Sequence, residues 1–219
     1  MDLERAKAII AQRMGNRQDL LEQIENELQL AVEERLERDP GIRPWYLLTN
    51  TPSTAVSTVA NQAYVSVPSD FIAEYEYGFL RIVNASGGKT FLSKADYKYL
   101  EINKGIDDDG NINTGLPTHY TVINDRIQLY PTPDAVYTLE MMYYQKSSSL
   151  KDSPETNPHL LNAADWLIGQ AGMEIASYKQ HIEMAKLFAG QAQDGKRRVI
   201  AATEDRLLQN MWTGGASPP

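Results

Sequence analysis

The sequence predicts an α+β chain, a terminal α-helical bundle with an inserted, mainly antiparallel β region. Both ends carry apolar residues at three- and four-residue steps, the helical period. The middle is made of short runs of Val, Thr, Tyr and Ile broken by Asn, Gly and Pro, the punctuation of strands and turns. The expected division is a discontinuous helical domain at 1–44 and 151–213, a β-rich insertion at 45–150, and a flexible tail at 214–219.

The first helix is expected over Leu3 to Met14, with apolar residues at 3, 6, 9, 10 and 14 and a stop at Gly15-Asn16. A longer helix begins near Arg17. Its stripe is Leu20, Leu21, Ile24, Leu28, Ala31, Val32 and Leu36, with Glu22, Glu25, Glu33, Glu34 and Arg38 facing away, and Asp39-Pro40-Gly41 ends it. From Trp45 to about Lys146 the pattern turns to strands. Ser53–Ala60 and Ala63–Val67 are joined at Asn61-Gln62, and Phe79–Ala85 and Thr90–Ser93 around Ser86-Gly87-Gly88. Lys94 to Lys104 interrupts them as a short helix.

Tyr120–Ile123 and Arg126–Tyr130, separated by Asn124-Asp125, form a β-hairpin, because those two residues tolerate positive φ. Pro131 and Pro133 cannot donate ladder hydrogen bonds, so the second strand stops there. A third antiparallel strand resumes over Val136–Tyr144, with Tyr137, Leu139, Met141 and Tyr143 on one face. Asn157-Pro158 starts the next helix, Asn accepting a backbone N–H and Pro standing where no donor is needed. Leu160, Leu161, Ala164, Leu167, Ile168, Ala171, Ile175 and Tyr178 form its stripe. The final helix runs from Ile182 to Trp212, with a break conceivable at Gly190 or Gly195, each costing roughly 1 kcal/mol against Ala.

Composition narrows function. The 219 residues are 42% hydrophobic and 23% charged, which marks a folded globular chain. The absence of cysteine excludes disulfides, thiolate metal sites and thiol nucleophiles. A net charge of -8 disfavours wrapping nucleic acid, because such binders replace phosphate counterions with Lys and Arg. The same acidity suits a channel that DNA crosses without sticking. Residues 1–14 fit neither a signal peptide nor a membrane span, so synthesis in the cytosol is expected.

Each chemical motif has a simpler reading. Ser86-Gly87-Gly88-Lys89-Thr90 has the Gly-Lys-Thr of a phosphate loop, but Val83 stands where its first glycine belongs and a strand follows, which makes it a hairpin turn. Asp107-Asp108-Asp109-Gly110-Asn111-Ile112-Asn113 resembles the middle of a calcium loop, yet Gly105 and Leu116 occupy the two terminal ligand positions, which leaves a solvated turn or a weak cation site. The histidines, His119, His159 and His181, lack metal-ligand spacing and are expected in caps or interface hydrogen bonds. No metal or cofactor is expected. Arg206, Leu207, Leu208, Met211 and Trp212, just before a Gly-Gly-Ala-Ser-Pro-Pro end, read either as a helix packed on its own bundle or as an anchor for a partner groove.

The order of β motifs carries a family resemblance. Leu116-Pro117-x-x-Tyr120, a short turn, Ile127-x-Leu129-Tyr130-Pro131-x-Pro133, an aromatic strand ending Tyr143-Tyr144, a loop and a Trp-bearing helix resemble the adaptor, or head-completion, proteins of tailed bacteriophages, tail accessory factors of short-tailed phages included. Tyr64-Val65-Ser66-Val67-Pro68-Ser69-Asp70-Phe71 is similar to the family's strand-Pro-x-Asp-Phe segment. The likeness is clearest from Tyr64 to about Ala189 and rests on structural rather than chemical motifs. It implies a non-enzymatic virion part at the head–tail junction: a homo-oligomeric ring, commonly of twelve copies, bound to the portal protein and to tail or nozzle proteins. It also implies that the segment around Leu207 to Pro219 inserts along or between portal subunits.

Two readings from other classes stand beside it. A virion-associated peptidoglycan-cleaving enzyme would draw on carboxylates such as Asp165 and Glu174, although neither has a feature that raises its pKa above the other's. A β-sandwich glycan-binding module would draw on the tyrosines of residues 64–144, Tyr97 and Tyr99 among them.

Overall fold

The computed structural model describes residues 1–39, 41–49, 54–76, 78–83, 87–106, 110–152 and 154–213, with backbone alone at 54–55 and 207–213. The architecture is α+β with mostly antiparallel strands. The chain forms two compact units, Met1–Leu47 with Lys146–Pro219, and Leu48–Gln145.

In the helical unit, α1 (Leu3–Arg13) is capped by Asp2, whose side chain accepts the Arg5 N–H at 2.7 Å. Gly15 and Asn16, at φ 84° and 61°, turn the chain where the sequence predicts a stop. A 3-10 turn, Gln18–Leu20, leads into α2 (Leu21–Leu30), which continues as a π turn over Ala31–Leu36 and closes with Glu37 N–H on Val32 O at 3.0 Å. Leu20, Ile24, Leu28, Ala31, Val32 and Leu36 are buried, as their spacing predicts. Glu25 departs from the expected wet side. Its carboxylate holds the nearly buried Lys7 ammonium of α1 at 2.6 Å and Lys151 at 3.1 Å.

Among the described residues the β unit is built from two four-stranded sheets and two short pairs. In chain order its strands are β1 (Thr54–Ser57), β2 (Tyr64–Ser66), β3 (Phe71–Glu74), β4 (Leu80–Val83), β5 (Lys89–Phe91) and β6 (Ser93–Lys94). After the short helix α3 (Tyr97–Leu100) and a π turn come β7 (Thr114–Gly115), β8 (His119–Ile123), β9 (Arg126–Tyr130), β10 (Thr132–Pro133), β11 (Thr138–Met141) and β12 (Tyr143–Gln145). The predicted hairpin is β8–β9, antiparallel, with Asn124 at φ 54°. β4 and β5 also pair as expected; the turn residues 84–86 between them lie outside the described residues.

β1 and β2 are joined through Asn61, as expected, and they pair in different sheets, β1 with β11 and β2 with β9. One strand expectation is corrected. The third strand breaks at Met142, whose N–H bonds Phe79 O at 2.8 Å; β11 then sits between β1 and β4, and β12 pairs with β3. Neither joins the hairpin's sheet. Leu139, Met141 and Tyr143 nonetheless point into one core with Leu80, Ile82, Ile127 and Leu129, contributed by both four-stranded sheets.

Asn157 caps α4 (Pro158–Asn162) by accepting the His159 N–H at 2.9 Å. The expected single helix is in fact two, because Ala163 leaves helical geometry at φ -129° before α5 (Ala164–Tyr178). Leu161, before the break, lies exposed rather than on the stripe, and so does Tyr178, the last residue of α5. α6 (Ile182–Thr213) is unbroken through both glycines. Gly195 is there for contact: a Cβ on it would stand 2.5 Å from the Trp166 amide nitrogen and 2.6 Å from its Cα. Gly169 of α5 meets the Ala192 backbone in the same manner, and Gly172 faces the Phe188 ring. Bare backbone on both helices lets α5 and α6 approach where a Cβ would not fit.

Candidate assembly surface

The buried face of α6 is a row at three- and four-residue steps, Phe188, Ala192, Val199 and Thr203 with Gly195 between, which seats the helix on α5. Beyond Thr203 the helix continues for ten residues to Thr213, about 15 Å at 1.5 Å per residue. A 3-10 turn at Trp45–Leu47 meets the helix at Thr203 and Arg206. The Trp45 N–H donates to Thr203 Oγ1 at 3.2 Å, that hydroxyl donates to Val199 O at 2.8 Å, and the Arg206 guanidinium lies 4.6 Å from the centre of the Trp45 indole. Of the residues the sequence singled out, Arg206 of α6 lies against this turn. Leu207, Leu208, Met211 and Trp212 fall on helical backbone, and their side chains lie outside the described residues.

Under Trp45 sits a polar cluster. Tyr46 stacks edge-on against Trp45, at 5.8 Å, and its hydroxyl meets His159 Nδ1 at 3.1 Å. His159 is fully buried, with Nε2 3.4 Å from Glu37 Oε1, which also accepts from the Ser147 N–H at 3.0 Å. Burial pushes the Glu37 carboxyl upward, but the bonds from His159 and Ser147 outweigh it and hold the group below the ordinary carboxylate value. Burial, followed by the charge of Glu37, raises the Tyr46 phenol. The cluster therefore ties together the 45–47 turn, the segment after Gln145 and the start of α4. Trp45, read in the sequence as the first strand-forming residue, belongs to this helical unit.

The chemical alternatives gain no support from geometry. Asp165 and Glu174 lie nine residues apart on α5, on opposite faces and about 13 Å along the axis, too far for a glycoside-hydrolase pair. Each binds an arginine instead, Asp165 with Arg198 at 2.6 Å and Glu174 with Arg35 at 2.5 Å. Tyr97 and Tyr99 are about half exposed, but residues two apart on a helix do not share a face, so they make no stacking platform. Lys89 and Thr90 belong to an edge strand, and the Lys89 ammonium lies 3.2 Å from Glu140, which also binds Arg81 at 2.6 Å.

Of the acidic loop, Asp107 to Asp109 lie outside the described residues, while Ile106 and Ile112 bridge its ends. Among the described residues no cluster of His, Asp and Glu is placed to hold a metal. His119 meets Thr118 Oγ1 at 2.8 Å, and His181 is exposed beside the start of α6. No described helix is long and apolar enough to cross a membrane. At the α5–α6 turn an apolar groove of about 670 Å³ is lined by Met173, Ile182, Ala185 and Ala189 with Ser177, Gln180 and Lys186.

A helical unit closed by α6, with a two-sheet insertion carrying the Leu-Pro-x-x-Tyr and Tyr-Pro-x-Pro segments, is matched from end to end by one family model, that of the SU10 adaptor protein, over residues 1–218. The chain belongs to the SU10 adaptor protein family. It is thus a phage adaptor, the class that its β motifs resemble. The SU10 adaptor match takes in α6 to its end. No curated protein matches the chain.

Proposed function

We propose that this adaptor is a structural, non-enzymatic virion protein that assembles as a ring of identical copies, commonly twelve, between the portal of the phage capsid and the tail. The ring seals or extends the channel through which DNA is ejected, and it presents a platform to tail or nozzle proteins. The observation that carries the reading is the family match over residues 1–218. Three features support it. The net charge of -8 suits a channel wall that DNA must not adhere to. Head-to-tail contacts that close by rotation give rings, and strand edges such as β5 are surfaces on which such contacts form. The terminal segment from Arg206 through Leu207, Leu208, Met211 and Trp212 continues α6 and is assigned to the portal, Trp and Arg being frequent interface anchors.

The test is mass-resolved solution behaviour of the purified chain with and without the portal ring of the same virion. The expected result is a complex of portal with a full complement of adaptor copies. Failure to bind that ring, together with unchanged tail attachment when the gene is deleted, overturns the reading.

A further inference from the structure

We infer that Trp45 is the positioning residue of the C-terminal segment: it fixes the last turns of α6 and ties their placement to the stretch of chain that leads into the β unit. The inference rests on the reading that residues 206–212 contact the portal, and it adds a residue that neither the sequence nor the family match assigns to that contact.

α6 has two kinds of support. From Phe188 to Val199 it is held by close packing on α5, with backbone against backbone at Gly195. Past Val199 the described contacts change character. Thr203 is 6% exposed and is bonded by the backbone N–H of Trp45, which every Trp45 variant keeps, while Arg206, which is exposed, covers the Trp45 ring. One turn of three residues, Trp45–Leu47, therefore meets the helix just where the portal-contacting segment begins.

That turn is itself anchored from beneath. Tyr46 is fixed by the fully buried His159, His159 reaches Glu37, and Glu37 takes the Ser147 N–H. Leu47 is the last residue of the helical unit before the β insertion, and Ser147 is the second residue after it. A single half-buried cluster around His159 thus fixes the chain where it leaves this unit and where it returns, and Trp45 carries that fixation to α6. An indole face suits the task because it holds a guanidinium by its quadrupole without demanding a single geometry, and Arg is always charged.

The experiment is hydrogen exchange of the full-length protein, resolved by segment, for wild type, Trp45→Ala, Trp45→Phe and Arg206→Met. Arg206 is exposed, so its replacement leaves the fold intact, and methionine keeps the aliphatic bulk while removing the charge. Losing a contact of this class raises local opening about two- to five-fold. The expected result is such a rise over residues 203–213 for Trp45→Ala and Arg206→Met, no change over 188–199, and largely restored protection in Trp45→Phe. Unchanged exchange over 203–213 overturns the inference, and so does an equal rise along the whole of α6, which is a general loss of stability. In a parallel arm, binding to the portal ring is measured for the same variants and for a chain ending at Arg206. Weaker binding by Trp45→Ala supports positioning, and equal or tighter binding overturns it. If the truncated chain binds as wild type while the exchange pattern is as expected, the portal assignment of residues 207–212 fails and the positioning of α6 by Trp45 stands.

Discussion

Replacing Gly195 by Ala tests the close seating of α6 on α5. On helix propensity alone the change stabilises by about 1 kcal/mol, since Gly is the poorest ordinary helix former. The new methyl would meet the Trp166 amide nitrogen at 2.5 Å and its Cα at 2.6 Å. Both atoms are backbone, so no rotamer change relieves the overlap and the two helices must separate. Overpacking of a filled core costs about 1–3 kcal/mol, and a backbone obstacle belongs at the upper end of that range. The net expectation is a loss of about 2 kcal/mol. Gly190 is the internal control: it lies in the same helix, and an added Cβ meets nothing within 4 Å. Gly190→Ala should therefore stabilise by about 0.5–1 kcal/mol. Thermal unfolding followed by helical circular dichroism reads both, with each kcal/mol shifting the midpoint by about 2–4 °C in a chain of this size. Equal shifts of the same sign at the two positions would refute the claim that α5 and α6 meet backbone to backbone.

Acid should weaken the helical unit through Glu37. Its folded pKa is depressed below the ordinary carboxylate value, so its contribution is fully present above that value and is lost as pH falls through the folded pKa; because Glu25 and Asp39 are depressed as well, a stability-versus-pH series should show a smaller acid-dependent loss in Glu37→Gln than in wild type. Leu139→Ala, at a fully buried position between the two sheets, should cost about 2–5 kcal/mol in denaturant unfolding of the β unit. Asn157→Ala removes a buried cap that also donates to Ser148 O at 2.9 Å, and should cost about 1–2 kcal/mol in denaturant unfolding of the helical unit. Incubation with purified cell walls should release no sugar fragments from wild type, Asp165→Asn or Glu174→Gln; release by wild type that either substitution abolishes would establish the enzymatic alternative.

Local physics settled much of this protein before any tertiary contact was considered. The cap at Asn157, the stop at Gly15-Asn16, the Asn124-Asp125 hairpin and the buried row from Leu20 to Leu36 depend on neighbours a few residues away, and the sequence records them directly. The order of β motifs was likewise enough to reveal the adaptor family. Long-range pairing decided the rest. Strand periodicity says which residues share a face but not which strand lies alongside, so β11 could be read as a strand while its place between β1 and β4 could not. A glycine in a helix looks like a weakness until the partner helix is in place, and Gly195 became a contact only when Trp166 stood against it. Trp45 is the clearest case: its ring and N–H acquire a role through Thr203 and Arg206, which lie 158 and more residues away along the chain, a separation that no local pattern encodes.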